Sequence, residues 1–215
     1  MKLHEARKDL YRRLAKEQGY KSRAAFKLIE ANQKYNFIHA GDTVIDFGAA
    51  PGGWLQVSSD IVGDSGLVVG VDIDQISLRE RNIHTLKLDV YDGSVTEKIE
   101  GVTGGAADVV LSDLAPSVSG AWDLDHYQQI ELTWRVLQLS ERLLKMRGNG
   151  FFKVFEGERS KETRAEFARR FDVVRVIKPQ ASRNEASELF YACIAWRGSP
   201  GYFSEIARTA ATTSE

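Results

Sequence analysis

Four charged side chains in this 215-residue sequence could move a proton together. Lys153 is flanked by three phenylalanines and a valine in a predicted strand, where a buried amine is costly unless it is paired. Asp113 follows an apolar run, at the strand end where active residues of open α/β sheets lie, and Glu188 begins the last strand and could supply the countercharge. If Lys27 packs over this face, two lysines and two carboxylates surround one substrate group. The alternative is an edge-strand lysine whose ammonium extends to water.

The second informative stretch is Val44-Ile-Asp-Phe-Gly-Ala-Ala-Pro-Gly-Gly-Trp54, a short buried strand followed by a glycine-rich turn. Gly48, Gly52 and Gly53 let the backbone turn tightly and approach a ligand closely. The spacing matches neither a dinucleotide-binding fingerprint nor a P-loop. A strand, a glycine turn and a helix N-terminus form the ligand-binding corner of a doubly wound sheet.

Three aspartates at predicted strand ends indicate which ligand fits this corner. Asp72 can accept hydrogen bonds from both hydroxyls of a ribose. Asp46 could hold the loop or a ligand ammonium, and Asp89 could accept from an adenine amino group or cap a loop. A nucleoside without phosphates but with an amino-acid tail suits these groups, and S-adenosylmethionine is that molecule. The alternative is a plain glycine turn whose aspartates cap helices.

The elements that must position these residues alternate along the chain. Strands are predicted at 43–47, 66–72, 85–88, 108–111, 150–155, 172–177 and 188–196. Helices are predicted at 3–17, 22–32 with Ser22 as N-cap, 125–147 ended by Gly148, and 161–170, with a further helix beginning at Trp54. The apolar stripe of the long helix, comprising Tyr127, Ile130, Trp134, Leu137 and Leu144, is interpreted as core packing. This pattern predicts an α/β fold, a doubly wound and mostly parallel seven-stranded sheet.

Composition sets limits on the class of protein. The chain is 43% hydrophobic and 27% charged, which is typical of a soluble globular domain. Its single cysteine, Cys193, cannot form an intrachain disulfide and is interpreted as a buried thiol. Without an apolar leader or a long apolar span, we expect a cytoplasmic protein that contacts no membrane. Nothing resembles a Cys/His zinc array, so we expect no metal, and we also expect a monomer.

The N-terminal 36 residues are basic. They carry ten lysines and arginines against four acidic residues, which leaves a net charge of −7 on the rest of the chain. Arg12, Arg13, Lys21 and Arg23 are predicted to contact a nucleic acid, although a basic helix can also be merely solvated. We therefore divide the chain into a basic helical extension at 1–36 packed on the domain, a catalytic domain at 37–198 and a C-terminal tail at 199–215.

Several motifs along the chain form a combined pattern. They are Ser22-Arg-Ala-Ala-Phe-Lys27-Leu, Asp46-Phe-Gly-Ala-Ala-Pro-Gly-Gly-Trp54, Ser112-Asp-Leu-Ala-Pro116 with Ser119-Gly120, Lys153-Val-Phe-Glu-Gly157 and Ser182-Arg183…Ser187-Glu188. Together they resemble the FtsJ/RrmJ family of RNA ribose 2′-O-methyltransferases, over nearly the whole chain from Ser22 to Trp196. The resemblance implies a Rossmann-like methyltransferase fold and S-adenosylmethionine as cofactor. Ser117, where asparagine is usual, and Phe190, where tyrosine is frequent, depart from the family pattern.

The resemblance also implies roles for individual residues. Lys27, Asp113, Lys153 and Glu188 take the catalytic places, with Lys153 as the proton acceptor. Gly52, Trp54, Asp72, Asp89 and Asp113 match the family's cofactor contacts. The compact form resembles members that methylate a uridine of 23S, large-subunit, ribosomal RNA. Transfer RNA, or RNA binding without catalysis, remains an alternative, and Lys153 could orient the hydroxyl without taking its proton.

Overall fold

The computed structural model describes residues 3–117, 119–182 and 187–198, with side chains from Leu10 onward. Strands and helices alternate along most of this part of the chain. The strands are β1 Thr43–Phe47, β2 Leu67–Asp72, β3 Ile83–Lys87, β4 Ala107–Ser112, β5 Leu144–Phe155, β6 Phe171–Ile177 and β7 Glu188–Trp196. The helices are α1 Leu3–Glu17, α2 Ala25–Tyr35, α3 Gly53–Val62, α4 Val95–Thr103, α5 Trp122–Leu143 and α6 Ser160–Arg170.

All seven strands form one sheet in the order β3-β2-β1-β4-β5-β7-β6. Strands β1 to β5 pair in parallel, and β7 runs antiparallel to both of its neighbours. The predicted fold class is therefore confirmed. The chain leaves β1 towards β2 on one side and returns through β4 on the other. Ligands bind at such a switch point, beyond the carboxyl ends of the strands.

Apolar residues from the two faces of the sheet form two core clusters. Side chains of α4, α5 and α6 cover one face, and those of α2 and α3 cover the other. The N-terminal helices join the second layer because Tyr11 of α1 packs its ring 5.4 Å from that of Phe26 in α2. Cys193 is buried in the first layer, as predicted, and burial raises the pKa of its thiol. Helices thereby cover both faces of the central strands, so we expect a ligand site at the strand ends.

The predicted long helix at 125–147 is wrong at both ends, and α5 already begins three residues earlier, at Trp122. Helix α5 stops at Leu143, and Leu144 already begins β5, so Gly148 lies inside a strand and ends no helix. A Cβ on Gly148 would lie 2.9 Å from the carbonyl oxygen of Asp108, so the glycine permits close strand contact. The core interpretation of the apolar stripe also fails at Tyr127, which is 53% exposed.

Other elements also differ from the prediction. Helix α2 begins at Ala25, and no side chain caps it, because residues 22–25 form a turn of their own. Strand β3 begins two residues earlier than predicted and ends one residue earlier. Helix α4 was missed, since only Val95 and Ile99 are buried along it and so short an apolar pattern gives little signal.

No helix in the described ranges combines the length and the apolar character needed to cross a bilayer. The predicted C-terminal tail at 199–215 lies outside the described residues.

Candidate active site

The four charged side chains singled out in the sequence form two buried ion pairs. Lys153 Nζ lies 3.0 Å from Asp113 Oδ1, and Lys27 Nζ lies 2.9 Å from Glu188 Oε1. The two lysines are only 6% and 5% exposed. The prediction that Glu188 supplies the countercharge to Lys153 is corrected, because Asp113 takes that place and Glu188 pairs with the other lysine. Charge is thereby balanced locally within each pair.

Three elements hold the Lys153–Asp113 pair in position. Asp113 follows β4, and its backbone N–H donates to Phe47 O at 3.0 Å, which extends the parallel pairing with β1. Lys153 lies within β5, and its carbonyl accepts hydrogen bonds from Gln129 and Thr133 of α5, at 2.8 and 3.1 Å. Lys153 Nζ also donates to the backbone carbonyl of Asp113. The amine is therefore fixed by sheet and helix at the carboxyl end of β4.

An aromatic wall holds Lys27 over the same face. Its Nζ lies 5.0 Å from the ring centroid of Phe190, which stacks on Phe151 at 4.9 Å. Trp54 packs 5.4 Å from Phe151 and donates its indole N–H to Ala24 O at 2.8 Å. The Trp54 side chain thus joins the start of α2 to the sheet. Its backbone N–H belongs to the first turn of α3, where amide protons lack intrahelical acceptors.

The electrostatics around Asp113 favour its carboxylate form. Burial alone would raise the pKa of this side chain, but the Lys153 and Lys27 ammonium groups, with Arg23 beyond them, hold the pKa below its ordinary value. Asp113 therefore remains negative at neutral pH and can keep Lys153 in place.

Asp46 has the opposite character. It is fully buried, and neither carboxyl oxygen has a hydrogen-bond partner among the described residues. Burial raises its pKa well above the ordinary range, and the neighbouring carboxylates of Asp113 and Asp72 raise it further. An unpaired buried carboxyl group is costly, so this corner is suited to a ligand that brings positive charge or hydrogen-bond donors.

Side chains at Gly48 and Gly52, in the loop after β1, would clash with neighbouring residues. Gly48 has φ 76°, and a Cβ there would lie 2.9 Å from the backbone nitrogen of Leu114. Gly52 has φ 112°, and a Cβ there would lie 2.7 Å from the Leu78 side chain. Gly53 follows as the first residue of α3. The glycines therefore allow the loop to pack directly against Leu114 and Leu78.

Asp72, which ends β2, and Asp89, which follows β3, accept backbone hydrogen bonds and keep further acceptor capacity. Asp72 accepts from the backbone N–H of Ala50 at 2.8 Å and from that of Asp74 at 2.9 Å, one bond on each oxygen. Each carboxylate oxygen can accept a further bond, which a ribose hydroxyl could supply. Asp89 accepts from Tyr91 N at 2.9 Å, so it performs the loop-capping role that the sequence left open.

Three of the four predicted RNA contacts line one basic pocket. Arg12, Lys21 and Arg23 border it with Lys16, in a volume of about 500 Å³ between α1 and the start of α2. Sequence reasoning missed Lys16, although its spacing of four from Arg12 places both on one helix face. Arg13 is not among the residues that line the pocket and pairs with Glu17 at 3.5 Å on the exposed side of α1. Arg183, in the last matching motif, lies outside the described residues.

Within the described ranges, no cluster of three or more histidine, cysteine or acidic side chains has the arrangement of a metal site.

Known proteins resemble this chain over most of its length. The family model described as FtsJ-like methyltransferase matches residues 20–196. Two archaeal proteins named ribosomal RNA large subunit methyltransferase E are similar. The one from Cenarchaeum symbiosum is 43% identical over 90% of this chain and 98% of its own, and that from Nitrosopumilus maritimus is 41% identical over 92% and 100%.

Solved structures agree with the fold. A Plasmodium falciparum protein described as a ribosomal RNA methyltransferase superposes with a TM-score of 0.76 at 25% identity, covering 84% of this chain and all of its own. Aeropyrum pernix fibrillarin, solved with natively bound S-adenosyl-L-methionine, gives a TM-score of 0.52 at 18% identity and covers 73% of this chain and 68% of its own. The second likeness shows the shared fold alone.

Proposed function

Because the chain belongs to the FtsJ-like methyltransferase family, we propose that it methylates a ribose 2′-hydroxyl of large-subunit ribosomal RNA, with S-adenosylmethionine as methyl donor. The observation that carries this proposal is the pair of buried lysine–carboxylate contacts, Lys153–Asp113 and Lys27–Glu188, at the carboxyl end of the sheet. The names of the archaeal relatives support ribosomal RNA as substrate.

The cofactor site is proposed beyond β1 and β2. Asp72 would hold the ribose hydroxyls, Asp46 the ammonium of the amino-acid tail, and Asp89 the adenine amino group. The glycine loop and the first amides of α3, including that of Trp54, would line the remaining space. When bound, S-adenosylmethionine supplies a methyl group activated by a sulfonium and requires no metal.

The four charged residues are proposed to prepare the hydroxyl. Lys153 accepts the 2′-hydroxyl proton, after it has itself lost a proton, since an ammonium has no acceptor capacity. Asp113 holds the amine of Lys153 in place, at 3.0 Å. Lys27 and Glu188 form the opposite pair, which can orient the ribose from its other side. A hydroxyl becomes a competent nucleophile only when its proton is accepted during attack.

Replacing Asp72 with alanine should weaken S-adenosylmethionine binding about tenfold to a hundredfold, because hydrogen bonds to a charged group contribute roughly 1.5–3 kcal/mol. Asp74→Ala is the matched control, since that exposed neighbour contributes its backbone N–H to the loop and the alanine variant keeps it. Titration calorimetry measures both affinities. An Asp72→Ala protein that binds as tightly as wild type would remove this residue from the site.

The basic pocket is proposed to hold RNA phosphates next to the catalytic pairs. Its lining residue Arg23 also lies close enough to Asp113 to lower the pKa of that carboxyl, so the pocket adjoins the active site. Arg12, Lys21 and Arg23 would each contact the RNA backbone. RNA bound here would run from the N-terminal helices towards Lys27.

Arg12 and Arg13 allow a matched comparison of the salt dependence of RNA binding. Arg12→Gln should lower the slope of log binding constant against log salt by about 0.7–0.9, the loss of one phosphate contact. Arg13→Gln removes the same charge from the outer side of α1 and should change the slope less. Filter binding of an RNA fragment across a salt series measures both slopes. Equal slopes for wild type and both variants would make this helix a solvated face only.

The class of RNA is tested by offering wild-type protein large ribosomal subunits and transfer RNA with labelled S-adenosylmethionine. We expect incorporation into the large subunit. Incorporation into transfer RNA alone would favour the alternative substrate. Absence of transfer to every RNA would favour a binding protein that keeps the fold.

We further propose that residues 1–36 act as an RNA-binding extension of a monomeric enzyme, with residues 37–198 as the catalytic domain and 199–215 as a tail. A ribosomal substrate would place the reaction in the cytoplasm.

A further inference from the structure

An exposed aromatic stack lies where α5 begins. Trp122, the first residue of this helix, is 47% exposed, whereas Trp54 and Trp196 are 3% and 1% exposed. The Trp122 indole stacks on the ring of Phe155, with centroids 5.7 Å apart and planes 19° apart. It also stacks on His126, at 6.1 Å and 26°. The indole stays about half exposed beside the proposed reaction centre, and exposed aromatic surface at such a place indicates a binding surface.

Phe155 connects this stack to the active site. It lies two residues after Lys153, so the two side chains point to the same face of β5. In the antiparallel ladder Phe155 pairs directly with Glu188, whose carboxylate contacts Lys27. Side chains of such a pair are close neighbours. The Trp122 ring is therefore separated from the catalytic carboxylate by a single phenylalanine.

Neighbouring contacts hold the stack in place. Asp125 accepts from the backbone N–H and the hydroxyl of Ser119, at 2.8 and 2.7 Å, and Ser119 Oγ accepts from Ala121 N at 3.1 Å. These bonds fix the segment that leads into Trp122. A Cβ on Gly157 would lie 2.6 Å from the His126 ring, so the glycine leaves room for the imidazole.

The charges around the stack favour a neutral ligand. Burial lowers the pKa of His126, and the nearby Arg159 guanidinium lowers it further, so the imidazole is neutral at pH 7. Asp123 and Glu158 lie near enough to act in the opposite direction on that pKa. Arg159 is already paired with Glu131 and Glu162, at 2.8 and 3.2 Å, so the net charge at this end of the site is negative and would repel phosphates. The pocket lined by Arg12, Lys16, Lys21 and Arg23 would attract them.

We propose that Trp122 is a stacking platform for a nucleobase of the substrate RNA, either the base of the methylated nucleotide or that of its immediate neighbour. The inference rests on the proposed function and deepens it. Unstacked RNA bases bind on exposed aromatic faces, and every base offers such a face. The platform would hold the base at the acidic end of the site while the backbone lies towards the basic pocket. The ribose between them would then face Lys153.

The test compares three variants in methyl transfer to RNA. Trp122→Ala should lower kcat/KM for RNA about tenfold or more, the usual effect of losing one stacking contact. Trp122→Phe keeps a stacking ring and should retain most of this activity. Leu124→Ala is the matched control, because Leu124 is 48% exposed in the same turn but belongs to no ring stack. Affinity for S-adenosylmethionine should be unchanged in all three.

Tryptophan fluorescence supplies a second readout that does not depend on turnover. A short single-stranded oligonucleotide should quench the wild-type emission, and Trp122→Phe should lose that quenching. If the wild type is active and Trp122→Ala has the same kcat/KM for RNA, the stacking role of Trp122 is overturned. Quenching that persists in Trp122→Phe would overturn it as well. A wild type that transfers no methyl group to any RNA overturns the proposed function, and absence of quenching in that protein overturns the platform separately.

Discussion

Lys153→Ala should abolish methyl transfer while leaving affinity for S-adenosylmethionine and RNA close to wild type. Loss of a proton acceptor typically lowers a rate by about 10²–10⁴-fold, and loss of positioning adds to that. The variant also removes the cation that balances Asp113, which lies 3.0 Å away in a buried site. Single-turnover transfer of labelled methyl measures the rate, and calorimetry measures the affinities.

The chain offers a matched control for this experiment. Lys145 lies in the same strand and pairs with Asp108, at 2.8 Å, at the opposite end of β4. Its side chain is 48% exposed, so Lys145→Ala removes a lysine–aspartate pair that takes no part in the chemistry. We expect this control to turn over like wild type. A large loss in Lys145→Ala would mean that disruption of the sheet, and not the missing amine, inactivates Lys153→Ala.

Lys153→Arg separates proton transfer from orientation. The guanidinium keeps the positive charge but cannot accept a proton at ordinary pH. A variant as inactive as alanine that still binds both substrates supports proton acceptance, as does a wild-type single-turnover rate that rises towards alkaline pH. Wild-type turnover in Lys153→Arg would show that the residue only orients the hydroxyl.

Lys27→Met should both destabilise the protein and inactivate it. The substitution leaves the Glu188 carboxylate, 14% exposed, without the cation that lies 2.9 Å away. Breaking a buried pair by removing one partner costs about 3–5 kcal/mol, and the residual exposure of Glu188 should keep the loss near the lower figure. Denaturant unfolding measures the free energy of unfolding.

The double variant Lys27→Met, Glu188→Leu distinguishes the structural from the chemical role of this pair. Replacing both charges with apolar groups is often neutral for stability, so the free energy of unfolding should return towards the wild-type value. Activity should not return, because the groups that orient the ribose are gone. Recovery of both would show that the pair serves only the fold.

The sequence predicts the sheet well because its strands are short, apolar and separated by clear turns. Strands β1 and β7 match the predicted bounds 43–47 and 188–196, and the doubly wound order follows from their alternation with helices. The junction of α5 and β5 was misplaced because Leu143 and Leu144 suit either element. Their assignment depends on pairing with β4, a contact between distant parts of the chain.

The sequence predicted that four charged residues lie together, but not how they pair. Motif and strand-end position brought Lys27, Asp113, Lys153 and Glu188 to one place, yet which lysine faces which carboxylate depends on how α2 crosses the sheet. Trp122 gave no signal as a ligand surface, since it lies outside the helix predicted at 125–147 and only the structure places it at a helix start. Its exposure and its contact with Phe155 are visible only in three dimensions.

Methyl transfer to a ribose oxygen of large-subunit RNA can be measured directly by mass spectrometry. Nucleosides are prepared from large ribosomal subunits treated with the protein and isotope-labelled S-adenosylmethionine. We expect a single labelled 2′-O-methylnucleoside, absent when Lys153→Ala replaces wild type. Label on a nucleobase, or no label in large-subunit RNA under conditions where the protein binds its cofactor, would rule out this activity.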